Sequence, residues 1–161
     1  MNWRKLFQIQ KELDQRIIRK HQLEGENLID RKILAFQVEL GEMANETRCF
    51  KFWSLKPSSP HEKILEEYVD GLHFLLSIGL DMAYVFEALE PVKSDENLSE
   101  GFQSVYRKAS CFEQEKSHEN YRGLFQSYLT LSKRLDFTEA EIMGAYLEKN
   151  EVNHQRQEQG Y

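Results

Sequence analysis

Apolar residues recur at helical spacing along almost the whole chain, and the strict alternation expected of strands is absent. The spacing predicts a first helix from about Trp3 to His21, with Leu6, Phe7, Leu13, Ile17 and Ile18 on one stripe. Leu23 to Asn27 reads as a linker around Gly25. A second helix is expected from about Leu28 to Thr47, turning Ile33, Phe36, Leu40 and Met43 inward. Arg48 to His61 reads as a loop, with Phe50, Phe52 and Trp53 ahead of a Lys56-Pro57-Ser58-Ser59-Pro60 turn. A third helix starts near Pro60 or His61 and continues to about Leu80. Its apolar residues, from Ile64 to Ile78, fall on nearly every side, which predicts a central helix covered by its neighbours. Asp81 to Leu89 reads as a short helix or turn ended by Pro91, and Val92 to Glu100 as a polar connection. Two more helices are expected over Phe102–Cys111 and Ser117–Leu135. The last begins at Thr138, where Thr-Glu-Ala-Glu has the form of a capping box, and runs to about Arg156. The expected fold is all-α, a helical bundle in one domain over residues 1–161.

Composition narrows the function. A chain of 161 residues, 40% hydrophobic and 12% aromatic, can fill one core. A formal charge of -6 argues against general binding to nucleic acid or to an anionic membrane, although metal ions could still let the chain handle a polyanionic small molecule. Cys49 and Cys111 match no zinc spacing and read as thiols in a reducing cytosol. The N-terminus has no uninterrupted apolar segment of the signal-peptide kind, and no apolar run approaches the ~20 residues of a spanning helix. A cytoplasmic location is expected.

Four carboxylates stand out against this pattern. With ~100° per residue, Glu39 falls between Phe36 and Met43 on the apolar side of the second helix. Glu42 follows one turn on, about 60° around, and Glu46 returns to the same side. On the third helix Glu67 and Asp70 share a face with Gly71, Phe74 and Ile78. Ionised carboxylates directed into a core are costly unless positive charge meets them, and few cations are expected on these faces. Lys32 is one, but a single amine cannot balance four acids. A hard divalent cation such as magnesium would, and i, i+3 pairs on two facing helices can form a four-acid cage. From the residues alone a second reading stands beside this one: Glu-x-x-Glu and Glu-x-x-Asp are common on solvated helix faces and in salt bridges between helices.

The strings Phe36-Gln-Val-Glu39-Leu-Gly-Glu42-Met-Ala-Asn45-Glu46 and Glu66-Glu67-Tyr-Val-Asp70-Gly-Leu-His73 resemble the all-α nucleotide pyrophosphatases. The ending Tyr146-Leu-Glu-Lys149-Asn150-Glu-Val-Asn153-His-Gln-Arg156-Gln-Glu-Gln-Gly160-Tyr161 is similar to that of the dimeric (type 2) dUTPases. The shorter MazG-type and dCTP-directed relatives share chiefly the acidic helices. The resemblance runs from Gln10 to Tyr161 and is weakest between Val92 and Glu119. On the last helix Ile142, Tyr146, Lys149, Asn153 and Arg156 lie within about a third of the circumference. By itself such a line could be a basic helix end complementing the dipole. The resemblance instead implies triphosphate binding by Lys149, Asn153, Arg156 and Tyr161, with Lys56 as a further phosphate contact.

The resemblance also implies a base site. Gln10 and Asp14 lie on the buried side of the first helix, where the family reads the uracil edge, commonly with Gln and Asn; Asp14 departs from that Asn. An internal hydrogen-bonded pair is the other reading of these two residues. Trp53 is suited to stacking on a base, with Phe74 as the opposite wall. His73 is expected to point away from the acid face and, like His21, to be structural. The activity implied is hydrolysis of dUTP to dUMP and pyrophosphate, with dUDP as a second substrate and the β-phosphorus attacked. Two or three magnesium ions would be held by Glu39, Glu42, Glu67 and Asp70, with Glu42 or Glu39 as general base. A homodimer is expected from the family and from the apolar third helix. Two rivals remain: a related pyrophosphatase acting on dCTP or modified nucleotides, and a non-catalytic helical dimerisation protein.

Overall fold

A computed structural model describes residues 1–92 and 95–160. Among them the fold is all-helical: α1 (Trp3–His21), α2 (Ile29–Thr47), α3 (His61–Asp81), α4 (Leu98–Gln114), α5 (His118–Arg134) and α6 (Glu139–Glu158). The start of α4 differs most from expectation. It begins at Leu98 and not Phe102, because Asn97 and Glu100 form a reciprocal capping box that satisfies the first N–H groups inside a segment that reads as polar connection. The residues after α3 form a turn without a further helix. Gly25, at φ +81°, supplies the left-handed turn of the α1–α2 linker.

α3 is the axis of the bundle. It packs against α1, α2, α5 and α6 and buries residues on every side, which is why its apolar pattern has no polar face. Tyrosines from α5 reach into it: Tyr128 donates to the Tyr68 carbonyl at 2.7 Å, and Tyr121 to that of Leu75 at 2.9 Å. Both hydroxyls lie over α3 glycines. A Cβ at Gly71 would meet the Tyr128 hydroxyl at 2.3 Å, and one at Gly79 that of Tyr121 at 2.2 Å. Trp3 closes the other side of the core, edge-on to Phe86 and Phe125, and its indole N–H donates to the Leu89 carbonyl at 3.1 Å.

α6 is the least amphipathic helix and buries only Ile142, Tyr146 and Asn150. Polar contacts to α1 hold its distal end. Arg16 donates to His154 Nδ1 at 3.2 Å and to Glu158 at 3.1 Å, and His21 donates to Gln157 at 3.0 Å. α6 thereby lies across the open edge between α1 and α3, and a cleft forms where the three helices meet.

Gly79→Ala tests the tyrosine wedge. Alanine is intrinsically the better helix former by about 1 kcal/mol, yet overpacking against Tyr121 should leave the variant less stable by about 1–3 kcal/mol in urea unfolding. The same substitution in a Tyr121→Phe background should cost less. A Gly79→Ala protein as stable as the parent would show that the wedge yields freely.

Candidate functional site

The cleft has a volume of about 310 Å³ and is lined by residues of α1, α2, α3 and α6. Its acidic end is built by helical register. Asp70 lies one turn beyond Glu67 on α3, and Glu39 faces them from α2. One carboxylate oxygen from each of the three lies within 4.8 Å of the others. Glu67 is only 5% exposed, while Glu39 and Asp70 are half-buried. Glu42 is exposed and outside this trio, but close enough for its charge to act on Glu39.

More positive charge meets these acids than the sequence reading allowed. Lys63, one turn before Glu67, donates to it at 2.6 Å and to Glu66 at 3.1 Å. Lys149 reaches from α6 to Asp70 at 2.6 Å and to Glu66 at 3.1 Å. Hydrogen bonds from Lys149 and Lys63 hold the Glu66 carboxyl below its usual range. Burial works to lower the Lys149 pKa, but its bonds to Asp70 and Glu66 outweigh this and raise it. Asp70 is still raised, because burial exceeds the help it receives from Lys149. Glu39 has no such bond and is pushed up to about 7, first by burial and then by the charges of Asp70, Glu42 and Glu67. Lys32 does not serve the trio: it pairs with Asp81 at 2.5 Å.

Three converging oxygens, in a group of four acids that only two lysines balance, are a donor set that suits a hard divalent cation. The ionised forms favour the cation, and the cation would reverse the upward shift on Glu39.

The other end of the cleft is a buried polar network. Gln10 Oε1 accepts from His73 Nδ1 at 2.7 Å and from the Tyr146 hydroxyl at 2.8 Å, while Gln10 Nε2 donates to Asp14 Oδ1 at 2.8 Å. Ser77 donates to Asp14 Oδ2 at 2.7 Å. The expectation that His73 turns from the acid face is corrected. It lies one turn beyond Asp70 and lines the same cleft, its ring stacked on Tyr146 at 4.1 Å.

Of the residues singled out in the sequence, Gln10, Asp14, Glu39, Asp70, Phe74, Lys149, Asn153 and Arg156 all line the cleft. Glu42, Glu67, Trp53 and Lys56 do not: Glu67 is buried behind the lining and joins it only through its closeness to Glu39 and Asp70. Trp53 and Lys56 lie exposed in the loop between α2 and α3, where Trp53 packs edge-on to Phe52. Tyr161 falls outside the described residues. His73, Ser77, Tyr146, Lys63 and Glu66 were missed as site residues. Lys63 alone carried a local signal, its i, i+4 spacing to Glu67.

An all-α bundle that sets an acid cluster beside a lysine, an amide and an arginine has the donors to suit a phosphorylated ligand together with a divalent cation. The family model described as dUTPase matches residues 2–161, and the chain belongs to that family, the dimeric type 2 dUTPases. Membership supports a dUTP diphosphatase-type function in a family that is generally metal-dependent. Comparison with curated proteins gives no match. Among the described residues no helix is long and apolar enough to cross a membrane.

Glu39 gives the metal-free protein a pH dependence of defined sign. Its folded pKa, about 7, lies above the ordinary 4.5. The stability it contributes is therefore fully present below about 4.5 and lost as pH rises through about 7. Between pH 6 and pH 8.5 the melting temperature of the metal-free parent should fall about 2–4 °C further than that of Glu39→Gln, after allowance for solvent screening. Parallel melting curves across that range would remove Glu39 as the source.

Proposed function

We propose that the protein is a magnesium-dependent dUTP diphosphatase that hydrolyses dUTP, and also dUDP, in the cleft between α1, α3 and α6. The observation that carries this reading is the convergence of the Glu39–Glu67–Asp70 trio and the Lys149–Asn153–Arg156 line on one cleft whose far end is a buried polar network.

Glu39, Glu67 and Asp70, with Glu42 at the rim, would hold the cation. When bound, magnesium supplies charge to polarise the phosphoryl oxygens and to acidify a water. Asn153 and Arg156 grip phosphate oxygens, Arg156 with a fork that can bind two at once. Lys149 adds charge where negative charge grows on the leaving group. Glu42, on the acid face but outside the trio, takes the proton from the attacking water. The water oxygen bonds to phosphorus, the α–β bridging P–O bond breaks, and pyrophosphate leaves from dUMP. Gln10 and Asp14 face the base and Phe74 forms one wall against it.

Trp53 and Lys56 would act where a second subunit brings their exposed loop to a cleft, so the active form is read as a homodimer. The single-domain organisation, the cytoplasmic location and the lack of a nucleic-acid partner are carried as parts of this reading.

Pyrophosphate release from each deoxynucleoside triphosphate, with and without Mg²⁺, is the direct test. Turnover of dUTP should require Mg²⁺. Glu67→Gln should reduce it by about 100-fold or more, because the change removes a buried ligand charge while keeping its shape. Absence of turnover of any nucleotide, or a fully active Glu67→Gln variant, would point to a non-catalytic helical protein.

A further inference from the structure

The two trio acids on α3 each already hold a cation, and both cations are lysine ammonium groups. Lys63, one turn before Glu67, donates to Glu67 Oε1 at 2.6 Å, and Lys149 donates to Asp70 Oδ2 at 2.6 Å. Glu66, exposed on the same helix, accepts from both lysines at 3.1 Å. The result is an unbroken chain of alternating charge, Glu67–Lys63–Glu66–Lys149–Asp70. Glu39, the third member of the trio, feels the charge of Lys149 without a bond to it. Lys149 has a place in the phosphate site. Lys63 has none: it does not line the cleft, and no step of the reaction uses it.

The two ends of the Lys63 bridge are unequal. Glu67 is 5% exposed and needs a positive partner, since an ionised carboxylate left alone in a core is costly. The Lys63 side chain is 45% exposed, and Glu66 gives its ammonium a second acceptor at the surface. Hydrogen bonds to Glu67 and then to Glu66 raise the Lys63 pKa, so the group keeps its charge at any ordinary pH. A divalent cation on the same Glu67 carboxylate would set two positive groups within a few ångströms of each other, where burial leaves little water to screen them. Departure costs Lys63 far less than it would cost a buried lysine, because solvent and Glu66 both receive it.

We infer that Lys63 is the resident counter-ion of the metal site: a positioning residue that holds Glu67 in place of a divalent cation, yields to one, and falls back on Glu66. The inference rests on the magnesium site of the diphosphatase reading. Its consequence is that the nucleotide-free cleft takes up magnesium weakly. The cation must displace an ammonium from Glu67, and a charge-assisted hydrogen bond of this kind lowers its affinity by about tenfold. Magnesium is then loaded chiefly when a polyphosphate brings further oxygens to it. The rival arrangement is a lysine that stays, fixing one Glu67 oxygen so that the other is aimed at the cation. The two differ in sign.

Calorimetric titration of the nucleotide-free chain with Mg²⁺ alone separates them. Lys63→Met should bind Mg²⁺ about tenfold tighter than the parent. Lys63→Arg keeps the charge and should stay within about threefold of the parent. Lys32→Met removes a cleft lysine that pairs with Asp81 and not with the trio, and it should also stay within about threefold. Thermal melting gives a second readout. Lys63→Met should melt below the parent without metal, because Glu67 loses its partner, and saturating Mg²⁺ should close the gap. Weaker or unchanged Mg²⁺ binding in Lys63→Met overturns the inference, and so does a melting gap that Mg²⁺ leaves open. Equal tightening in Lys32→Met overturns it too, by making the effect one of general charge. If Lys63→Met does not fold without metal, Lys63→Gln decides by the same titration: it drops the charge and should likewise bind Mg²⁺ tighter than the parent. Turnover of dUTP is followed separately. A parent that hydrolyses dUTP while Lys63→Met gains no affinity leaves the diphosphatase reading standing without this one. A parent that hydrolyses no nucleotide removes that reading, and the Mg²⁺ titration still decides the role of Lys63.

Discussion

Glu67 and Asp70 sit on the most buried helix of the bundle, and the structure depends on the positive charge that reaches them there. Without it, two carboxylates on the axis of an apolar core would protonate or push the helices apart. Lys63 arrives from the same helix at short sequence range. Lys149 arrives from α6, and its bonds to Asp70 and Glu66 join the weakly amphipathic last helix to the core. The closing of the cleft and the neutralising of its acids are thus one interaction. Two ammonium groups among four acids still leave a deficit, and it is felt at Glu39, where the carboxyl titrates near neutral pH.

The same lysine adds to the effect of burial at the other end. The Lys149 charge, after burial, holds His73 neutral, and a neutral His73 with its proton on Nδ1 locks Gln10 in one orientation. Removing Lys149 would therefore be felt at both ends of the cleft. The glycines of α3 serve this arrangement indirectly. By admitting the Tyr121 and Tyr128 hydroxyls against its backbone, they let side chains of α5 reach α3, which also packs against α1 and α6.

Much of this was legible in the residues, because helical periodicity fixes which side chains share a face. It was enough to find six helices and to see α3 as the covered axis, and enough to set Glu39, Glu67 and Asp70 on inward faces. It also aligned Lys149, Asn153 and Arg156. Boundaries erred where capping outweighed composition, as at Asn97. Periodicity along one helix says nothing of the rotation of its neighbours, and the remaining site residues depend on that rotation. Tyr146 on α6 reads as an ordinary core aromatic until α1 brings Gln10 under its hydroxyl. Ser77 reads as filler until Asp14 faces it. His73 was assigned the wrong side because its wheel position was judged against the stripe alone, on a helix buried all round. Trp53 and Lys56 lie in a loop, where no repeat constrains direction.

The ion pair that closes the cleft competes with the cation for Asp70 in the reaction proposed for it. An Asp70 oxygen that accepts an ammonium at 2.6 Å would, if it also bound a divalent cation at ~2.1 Å, hold two positive charges within a few ångströms of each other. Either the cation binds the oxygen that Lys149 leaves open, or Lys149 lets go. Glu66 favours the second course. It is exposed, lies outside the trio, and already shares Lys149, so the lysine can shift its weight there without losing a carboxylate partner. A polyphosphate entering beside Asn153 and Arg156 offers the same ammonium a third set of oxygens. The bridge that stabilises the bundle without metal is then the one positioned to become a phosphate contact with it. That dual use explains how a lysine can be half-buried among acids on a helix with so little apolar surface to hold it there.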